Sequence, residues 1–501
     1  MVPRPMSPYP RAPLIPQFYA GRSIFITGAT GFMGKVLVER LLSTCPDIER
    51  LYLLMRQKKD VSPEKRLLQL KQSQLFQSHK VRERNFLVSI VFHSAATLKF
   101  DEALNIAVDQ NVKSVIRLMD ICDKLPNMEA FIHVSTAYSN AELNVVEERV
   151  YPPPMPLHQV LAVAESVPEE LMSSIITKYI SPKPNTYTFT KALAENAVVD
   201  HGNRGYPVAI FRPTIVVSAL KNPFPGWIEN LNGPSGIVVA AGKGILHVFS
   251  CKKTAVADML PVDIAIDTLL AVAWETATDR PLEAKVYNCS TYQNSTTWGH
   301  FANFLRGNIR AHPLDKPFWY PYGSTVENRY ALKALEILTQ TLPLHIAEYI
   351  TRLLGVKNRL SFITVSQRIQ AMSDVLSFFS LREWKFKTDN VQKLHLRLTP
   401  EDSAIYNLDP HSIDWPEHIR NFVIGVRKYL LNEKDQDIEE AKRHHCKMFY
   451  VHYSVMTFVL VLLCRFAVQN PLIRNTVFGI LRLLLSLFNA AYSRIMPVKL
   501  Q

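Results

Sequence analysis

Residues 26–36, ITGATGFMGKV, constrain the fold of this 501-residue chain more than any other stretch. The preceding SIFIT is typical of a β-strand, and the following GKVLVERLLSTC is typical of a helix. A strand that runs directly into a glycine-rich turn and a helix predicts a phosphate-binding site, because the bare N–H groups at the helix N-terminus attract anions.

The glycine spacing separates two phosphate-binding motifs that resemble this stretch. A triphosphate loop follows G-x-x-x-x-G-K-[ST], whereas here five residues separate Gly28 from Gly34 and Val36 follows Lys35. Glycines at 28, 31 and 34 instead predict a dinucleotide cradle, since a turn without ligand would need only one glycine. The residues expected to contact the cofactor here are Thr27, Gly28, Thr30, Gly31, Phe32, Met33 and Gly34.

The segment RLYLLMRQK predicts a second strand that ends near Arg56. In doubly wound sheets the end of this strand lies beside the adenine ribose, where an acid binds the 2′-hydroxyl of NAD and an arginine accommodates the 2′-phosphate of NADP. Arg56, with Lys58 and Lys59 close behind it, therefore favours NADPH. The competing interpretation is a solvated basic turn.

Two further segments supply small and polar residues near the predicted cofactor. VSIVFHSAATLKF predicts a buried strand, after which His93 and Ala95 would let the chain pass close under the cofactor. A histidine in this position is more often a packed core residue than a catalyst. Asn111, on the helix that follows, could brace the neighbouring active-site strand.

The strongest chemical signal is the order of the motifs along the chain. EAFIHVSTAYSN predicts a strand with Ser135 and Thr136 at its carboxyl end, where ligands bind in open parallel sheets. NTYTFTKALAEN predicts a helix that projects Tyr187 and Lys191 from one face. We expect the lysine to lower the pKa of the tyrosine phenol and a hydroxyl of Ser135 or Thr136 to polarise the same substrate carbonyl. These four residues form the predicted catalytic group.

The interval between Met55 and Val88 is short for a doubly wound sheet. It holds one helical run, SPEKRLLQLKQSQLF, and the polar QSHKVRERNFL, where a helix, a strand and another helix need roughly 35 to 45 residues. We therefore predict that the third strand is missing through a shortening between residues 76 and 88. That strand is an edge strand, so its loss leaves the sheet intact and weakens binding of the cofactor's adenine end.

Composition limits the partners. A net charge of +13 and a pI near 9.3 suit phosphorylated cofactors, coenzyme A or acidic lipid. Because no nucleic-acid motif and no zinc spacing occur, we predict no nucleic-acid partner and no metal site. Six scattered cysteines are expected to be reduced, and the proline-rich residues 1–17 are expected to form a disordered leader.

The C-terminus carries two apolar runs. Residues 448–464 contain no Asp, Glu, Lys or Arg, which is at the short end of what spans a bilayer, and a second run carries Arg482. A single span, a hairpin, a pair of interfacial helices and a buried core helix all fit these lengths. We favour a membrane anchor over 448–495, and the basic residues within 442–447 place the preceding chain in the cytosol.

At this point the chain resembles the extended short-chain dehydrogenases and, among them, the fatty acyl-CoA reductases. The resemblance rests on FITGATGFMGKVLVERLL, FHSAATLKFDEAL, FIHVSTAYSN, NTYTFTKALAE, FRPTIVVSALKNPFPGWIENLNGPSGIVVAAGKG and ADMLPVDIAID. Residues 384–431 resemble the helical male-sterility domain of that family. The resemblance implies an α/β fold, a Rossmann-type doubly wound parallel sheet, followed by a helical C-terminal domain and a membrane anchor.

The resemblance also implies domains, activity and location. It assigns 18–300 to an NADPH-binding and substrate-binding domain and 345–435 to the helical domain, with Pro213 and Thr214 lining the nicotinamide side. It implies NADPH-dependent reduction of long-chain acyl-CoA to a primary fatty alcohol through an aldehyde. It further implies attachment to the peroxisomal membrane with the catalytic domain in the cytosol, the endoplasmic reticulum membrane being the alternative.

Three functions compete on these observations. The intact Thr136, Tyr187 and Lys191 favour an active membrane-anchored reductase, while the missing strand favours a catalytically silent binding or scaffold protein. Another extended dehydrogenase, acting on a sterol or nucleotide-sugar, is disfavoured by PFPGWIEN and by the helical C-terminal segment. Chain-length preference and oligomeric state stay open.

Overall fold

A computed structural model describes most of the chain. The described residues are 13–57, 61–73, 75, 88–202, 205–355, 361–471, and 475, 479, 482, 483, 485 and 486.

A six-stranded parallel sheet forms the centre of the molecule, in the order β2-β1-β3-β4-β6-β11. The other strands pair in two-stranded sheets. The strands are β1 Ser23–Thr27, β2 Arg50–Leu54, β3 Ile90–His93, β4 Ala130–Val134, β5 Val145–Val146, β6 Val208–Pro213, β7 Ile215–Val217, β8 Val248–Ser250, β9 Val256–Ala257, β10 Met259–Pro261, β11 Lys285–Cys289, β12 Thr296–Thr297, β13 Ser324–Val326 and β14 Lys385–Phe386.

Helices flank the sheet and form the C-terminal part of the chain. They are α1 Leu14–Tyr19, α2 Phe32–Thr44, α3 Pro63–Gln72, α4 Leu104–Val108, α5 Ser114–Cys122, α6 Leu157–Ser166, α7 Glu169–Tyr179, α8 Thr186–His201, α9 Pro234–Gly242, α10 Val262–Asp279, α11 Trp298–Ala311, α12 Arg329–Glu336, α13 Leu342–Leu353, α14 Phe362–Ser380, α15 Asp389–Arg397, α16 Pro400–Ile405, α17 Trp415–Gly425 and α18 Ile438–Gln469. Three π-helical segments continue α4, α12 and α17, at Asp109–Lys113, Ile337–Thr341 and Val426–Leu430.

Two hydrophobic cores cover the two faces of the sheet, as a doubly wound fold requires. One face packs against α2 and α10, with α17 continuing the same core. The other face packs against α5 and α8. The predicted α/β fold class is confirmed. Strands β2 and β3 lie on opposite sides of β1, so the direction of the strand order reverses between β1 and β3. In doubly wound sheets ligands bind at the carboxyl ends of the strands at such a switch point.

Strand β2 is one of the two edge strands of this sheet among the described residues, and β11 is the other. The described chain between β2 and β3 contains one helix, α3. Residues 76–87, where we predicted the shortening, lie outside the described residues, so the missing third strand stays a prediction.

The predicted leader 1–17 is wrong in its last residues. Helix α1 begins at Leu14, its Ile15 and Tyr19 are fully buried, and Asp402 accepts the backbone N–H groups of Leu14 and Ile15 at 3.1 and 3.0 Å. Two apolar side chains and a buried carboxylate order a segment whose prolines suggested disorder. Residues 1–12 lie outside the described residues.

Helix α18 extends away from the rest of the molecule. Among the described residues it is the helix long and apolar enough to cross a membrane, over Asp435–Phe466, and 6% of its most apolar window is buried. The interpretation of the first apolar run as a buried core helix is therefore wrong. Most of the second run lies outside the described residues.

Candidate active site

The glycine turn after β1 approaches neighbouring backbone too closely for any side chain. Gly28 has φ +75°, and a Cβ there would lie 2.9 Å from the backbone nitrogen of Ala95. A Cβ on Gly34 would lie 2.2 Å from the Gly28 carbonyl oxygen, so the glycine lets α2 start directly against the turn. Gly31 precedes α2, and no side chain caps that helix. The first N–H groups of α2 are therefore suited to a pyrophosphate.

Thr27 ties this turn to the segment after β3. Its hydroxyl accepts the Ala95 N–H at 3.1 Å and lies 2.8 Å from Nδ1 of His93. Burial, with a smaller effect of the Lys191 charge, lowers the pKa of His93 to about 3, so the ring is neutral. His93 is a buried residue at the end of β3 that supports the turn through Thr27.

Phe32 and Met33 have packing contacts at the start of α2. The Phe32 ring stacks on Trp227, with centroids 5.4 Å apart, and both residues border the core of this sheet face. They connect the turn to the segment 220–232, which the sequence analysis did not link to it.

Arg66 of α3 is a residue that the sequence analysis missed. Its guanidinium donates to the Thr30 hydroxyl at 2.6 Å and to the Arg56 carbonyl oxygen at 2.5 Å. Arg56 itself is exposed at the end of β2. The glycine turn therefore has one arginine side chain bound to it, because α3 folds back and brings Arg66 to Thr30.

Lys191 is buried beneath the active-site strand. Its ammonium donates to the Val134 carbonyl at 2.8 Å, at the end of β4. Burial lowers the pKa of Lys191 to about 8, and the Glu195 carboxylate opposes part of that shift. Lys191 and Tyr187 lie on the same helix, α8, as predicted, and the Asn185 side chain caps that helix by accepting the Thr188 N–H.

The predicted fall in the pKa of Tyr187 is wrong. Desolvation raises its pKa to about 12, and a hydrogen bond with the Thr136 side chain offsets part of the rise. The lysine charge is directed to the Val134 carbonyl, so it does not dominate the phenol. Tyr187 is consequently protonated at neutral pH and suited to donate a proton.

The two candidate hydroxyls after β4 have different surroundings. Ser135 donates to Glu195, which forms a fully buried ion pair with Arg212 at 2.6 Å. Thr136 instead accepts the Tyr138 N–H at 3.3 Å, and its side chain opposes the rise in the pKa of Tyr187. The structure thus brings Thr136 to the tyrosine and places Ser135 in a buried charge network.

Asn111 braces α8. It lies in the π-helical segment Asp109–Lys113, where its side chain accepts the Thr97 N–H at 2.8 Å and donates to the Thr190 hydroxyl at 2.9 Å. The segment after β3 is thereby tied to the helix that carries the tyrosine, rather than to a strand as predicted.

Pro213 and Thr214 follow at the carboxyl end of β6. The Thr214 hydroxyl donates to buried Asp258 at 2.9 Å, and the same carboxylate accepts bonds from Ser290 and Thr291. Burial raises the pKa of Asp258, against these hydrogen bonds. Asp258 fixes the backbone around the predicted nicotinamide side. The sequence does not reveal this role, because the residues that Asp258 contacts are distant along the chain.

A cavity of about 520 Å³ opens beside the start of α8. It lies between α6, α7, α14 and the segment 100–105, and Phe100 both lines it and packs edge-on against Tyr187 at 5.6 Å. Its apolar lining residues include Leu104, Val163, Val167, Met172, Ile176, Ile180, Val375 and Phe378. An apolar chain whose head lay at Tyr187 could extend into this space.

One group of potential metal ligands occurs elsewhere among the described residues. Single ligand atoms of Asp120, Asp123 and His201 lie within 4.8 Å of one another, on the face of the sheet covered by α5 and α8. His201 contacts the Asp123 carboxylate at 3.1 Å, and both residues have further interactions. The prediction that the chain has no metal site stays a prediction.

Known proteins match this chain along nearly its whole length. Family models described as male sterility protein match residues 26–89 and 78–269, and residues 339–433. Fatty acyl-CoA reductase 1 of Rattus norvegicus is 35% identical over 491 residues, covering 92% of this chain and 95% of that protein. Fatty acyl-CoA reductase 2 of Bos taurus is 35% identical over 497 residues, covering 93% and 96%.

The solved structure of the terminal R domain from the myxalamid biosynthetic pathway matches 83% of this chain and 93% of that domain. The identity is 16% and the TM-score is 0.49. The relatives at 35% identity, which cover more than nine-tenths of both sequences, show that the chain belongs to the fatty acyl-CoA reductase family.

Proposed function

We propose that this protein reduces long-chain fatty acyl-CoA to a primary fatty alcohol with NADPH. The observation that carries the proposal is the group Thr136, Tyr187 and Lys191 at the carboxyl end of β4, in a chain that shares 35% identity with named fatty acyl-CoA reductases. These three side chains are the parts that carbonyl reduction requires of the protein: a proton donor, a second hydroxyl and a buried cation.

The glycine turn fits a nicotinamide dinucleotide. Side chains at Gly28 and Gly34 would collide with backbone, which leaves bare N–H groups at the start of α2 for the pyrophosphate. Arg66, whose guanidinium is bound to Thr30, and Arg56, at the end of β2, support NADPH over NADH, because arginines at this end of the sheet suit a 2′-phosphate. When bound, the cofactor supplies the hydride that reduces the carbonyl carbon.

The protein's own residues handle the charge that develops on the substrate oxygen. Tyr187, with its pKa near 12, holds its proton at neutral pH and donates it to the oxyanion, with the Thr136 hydroxyl beside it. Lys191 is fixed by the Val134 carbonyl and supplies positive charge below the tyrosine. From an acyl-CoA this step gives a hemithioacetal. Cleavage of its C–S bond, with the hydroxyl proton passing to sulfur, releases coenzyme A as the thiol and leaves an aldehyde, which a second NADPH would reduce to the alcohol.

The acyl chain would occupy the 520 Å³ cavity. Phe100 joins that cavity to Tyr187, and most of the lining is aliphatic or aromatic. A cavity of this size and composition buries an apolar ligand and excludes water from the reacting carbonyl.

The membrane anchor is proposed from α18, whose apolar stretch is almost entirely exposed. A soluble protein that left such a surface in water would aggregate. The peroxisomal location and the cytosolic orientation rest on the resemblance and on the basic residues before α18. Fractionation of cells that express the tagged chain, with peroxisomal and reticular markers, tests the location.

The activity is tested by incubating the full chain in detergent or liposomes with NADPH and palmitoyl- or stearoyl-CoA, followed by chromatography of fatty aldehyde and alcohol. The wild-type chain should form alcohol, and Tyr187→Phe should form at least about 100-fold less. Equal product from both proteins would remove Tyr187 from the mechanism.

The same assay separates the reductase from the scaffold. A folded chain that binds neither NADPH nor NADH and forms no product would favour the membrane-bound scaffold. That outcome is the one expected if the predicted loss of the third strand abolished cofactor binding.

A further inference from the structure

The helix from Arg329 to Leu353 has its polar side inward and its apolar side outward. It comprises α12, the π-helical segment and α13. Glu336 and Gln340 are 1% and 5% exposed, whereas Leu338, Tyr349 and Leu353 are 62%, 65% and 69% exposed. Helices on the surface of water-soluble domains show the opposite arrangement. The outward apolar residues are Ile337, Leu338, Leu342, Ile346, Tyr349, Ile350, Leu353 and Leu354.

Hydrogen bonds fix this orientation. Gln340 accepts the backbone N–H groups of His247 and Val248 at 2.7 and 3.2 Å. Glu336 accepts the Ser373 hydroxyl of α14 at 3.0 Å.

The far end of the helix is held in the same way, because Glu348 accepts the Phe362 N–H at 2.7 Å. A rotation that buried the leucines would leave these buried donors without partners, which is unfavourable. The outward apolar face is therefore a stable feature of the fold.

The candidate membrane span begins on the chain segment that precedes this helix. The early part of α18 packs on the chain just before α12: Trp319 donates to His452 at 2.8 Å, and the Tyr320 ring contacts Phe449 at 5.4 Å. From residue 453 onward the described side chains of α18 are exposed. The stretch 453–469 is about 25 Å long at 1.5 Å per residue, slightly less than the hydrocarbon core of about 30 Å.

If α18 spans the bilayer, its exposed stretch is therefore fully inside the hydrocarbon core, and no part of it separates the rest of the protein from the membrane surface. The surface around 319–322 must lie at the headgroups, and α12 begins only seven residues after Tyr322. Gln340 of the helix is bound to His247, the His247 ring stacks on Tyr322 at 4.1 Å, and the Tyr322 ring lies 4.6 Å from that of His452 in α18. The helix is therefore held close to the start of the span, which favours lipid rather than a protein as the occupant of its apolar face.

We propose that the outward apolar face of helix 329–353 lies in the interfacial layer of the leaflet that α18 enters, as a second contact with lipid. The face would sit about 5–10 Å into the headgroup and acyl boundary, as amphipathic interfacial helices do. The proposal depends on the proposed span of α18 for its location, and it does not depend on reductase activity.

The test is a depth measurement on the full chain in phosphatidylcholine liposomes. Cys446 and Cys464 are the exposed cysteines among the described residues and are replaced by serine, because the other four thiols are buried. Ile346→Cys is then labelled with a polarity-sensitive fluorophore, and nitroxide-labelled lipids are the quenchers. Tyr349→Cys is a second position on the same face, and an exposed apolar residue of a distant loop, Leu282, is changed to Cys as the matched control.

We expect the labels at 346 and 349 to show blue-shifted emission and to lose most of it to shallow nitroxide lipids, with the label at 282 unaffected. Leu460→Cys, on α18, reports the span independently of these positions. Quenching at 460 but only aqueous iodide quenching at 346 and 349 would overturn the proposal. Protection of the label at 346 that needs no lipid and grows with protein concentration would also overturn it, in favour of a second copy of the chain.

Discussion

At the scale of single residues, two neighbouring hydroxyls divide structural and chemical roles. Ser135 is bound to the buried pair Glu195–Arg212, while Thr136 accepts the Tyr138 N–H and influences the pKa of Tyr187. Sequence alone treated the two as equivalent because they are adjacent at the end of one strand. The structure separates them, since successive strand residues point in opposite directions.

This division predicts opposite effects of two small substitutions. Ser135→Ala should cost about 1.5–3 kcal/mol of stability, the value of a hydrogen bond to a charged group, and change kcat only a few-fold. Thr136→Val should lower kcat by about 10²-fold with little change in stability. Thermal melts and initial rates of palmitoyl-CoA reduction measure both, and a large kcat loss in Ser135→Ala alone would reverse the assignment.

The Lys191 charge predicts a pH dependence. With its pKa lowered from 10.5 to about 8, Lys191 loses its charge as the pH rises through 8, whereas Tyr187 with a pKa near 12 stays protonated. We expect kcat/KM to fall above about pH 8. Lys191→Met should be at least about 100-fold slower, and its kcat/KM should no longer fall above pH 8.

Stability should move the other way. The unfolded lysine binds its proton up to about pH 10.5, so between pH 8 and 10.5 the unfolded state holds more protons and Lys191 alone makes stability rise with pH. Activity that falls above pH 8 only together with the melting temperature would contradict the assignment of the activity limb to this lysine.

At the scale of elements, α3 brings Arg66 to Thr30 of the glycine turn, where we propose that it binds the adenine end of the cofactor. We predict that Arg66→Met raises the KM for NADPH by about 10- to 100-fold, the value of one charged hydrogen bond, and leaves the KM for NADH nearly unchanged. Lys71→Met removes the same charge from an exposed position of the same helix and is the matched control. Equal changes for the two cofactors would show that Arg66 holds the turn rather than a phosphate.

The elements that sequence predicted well are those whose chemistry is local. The turn around Gly28 follows from backbone geometry, and the Tyr187–Lys191 pair follows from helical spacing. Arg66 could not be found this way, because its contact with Thr30 depends on how α3 folds back. The direction of the Tyr187 pKa was wrong because spacing identifies the neighbouring lysine but reveals neither the desolvation of the phenol nor the carbonyl that holds the ammonium.

At the scale of the whole molecule, the first helix and the C-terminal part of the chain are joined by one carboxylate. Asp402→Ala should cost about 3 kcal/mol or more, since the buried N–H groups of Leu14 and Ile15 would lose a charged acceptor. Limited proteolysis should then cut within α1, and the melting temperature should fall. Glu401→Ala, at the adjacent position of α16, should show neither effect.

Helix α14 separates two apolar regions. Val375 and Phe378 line the cavity, while Ser373 of the same helix holds the outward-facing helix 329–353. A long-chain alcohol released from the cavity would thus be separated from the membrane lipid by α14 and the helix 329–353. Coenzyme A is a polyanion and can leave only into water. The enzyme would thus release the fatty alcohol into the membrane and coenzyme A into water. We therefore expect the reaction rate to fall when the membrane is saturated with fatty alcohol, and not when alcohol is added to the solution.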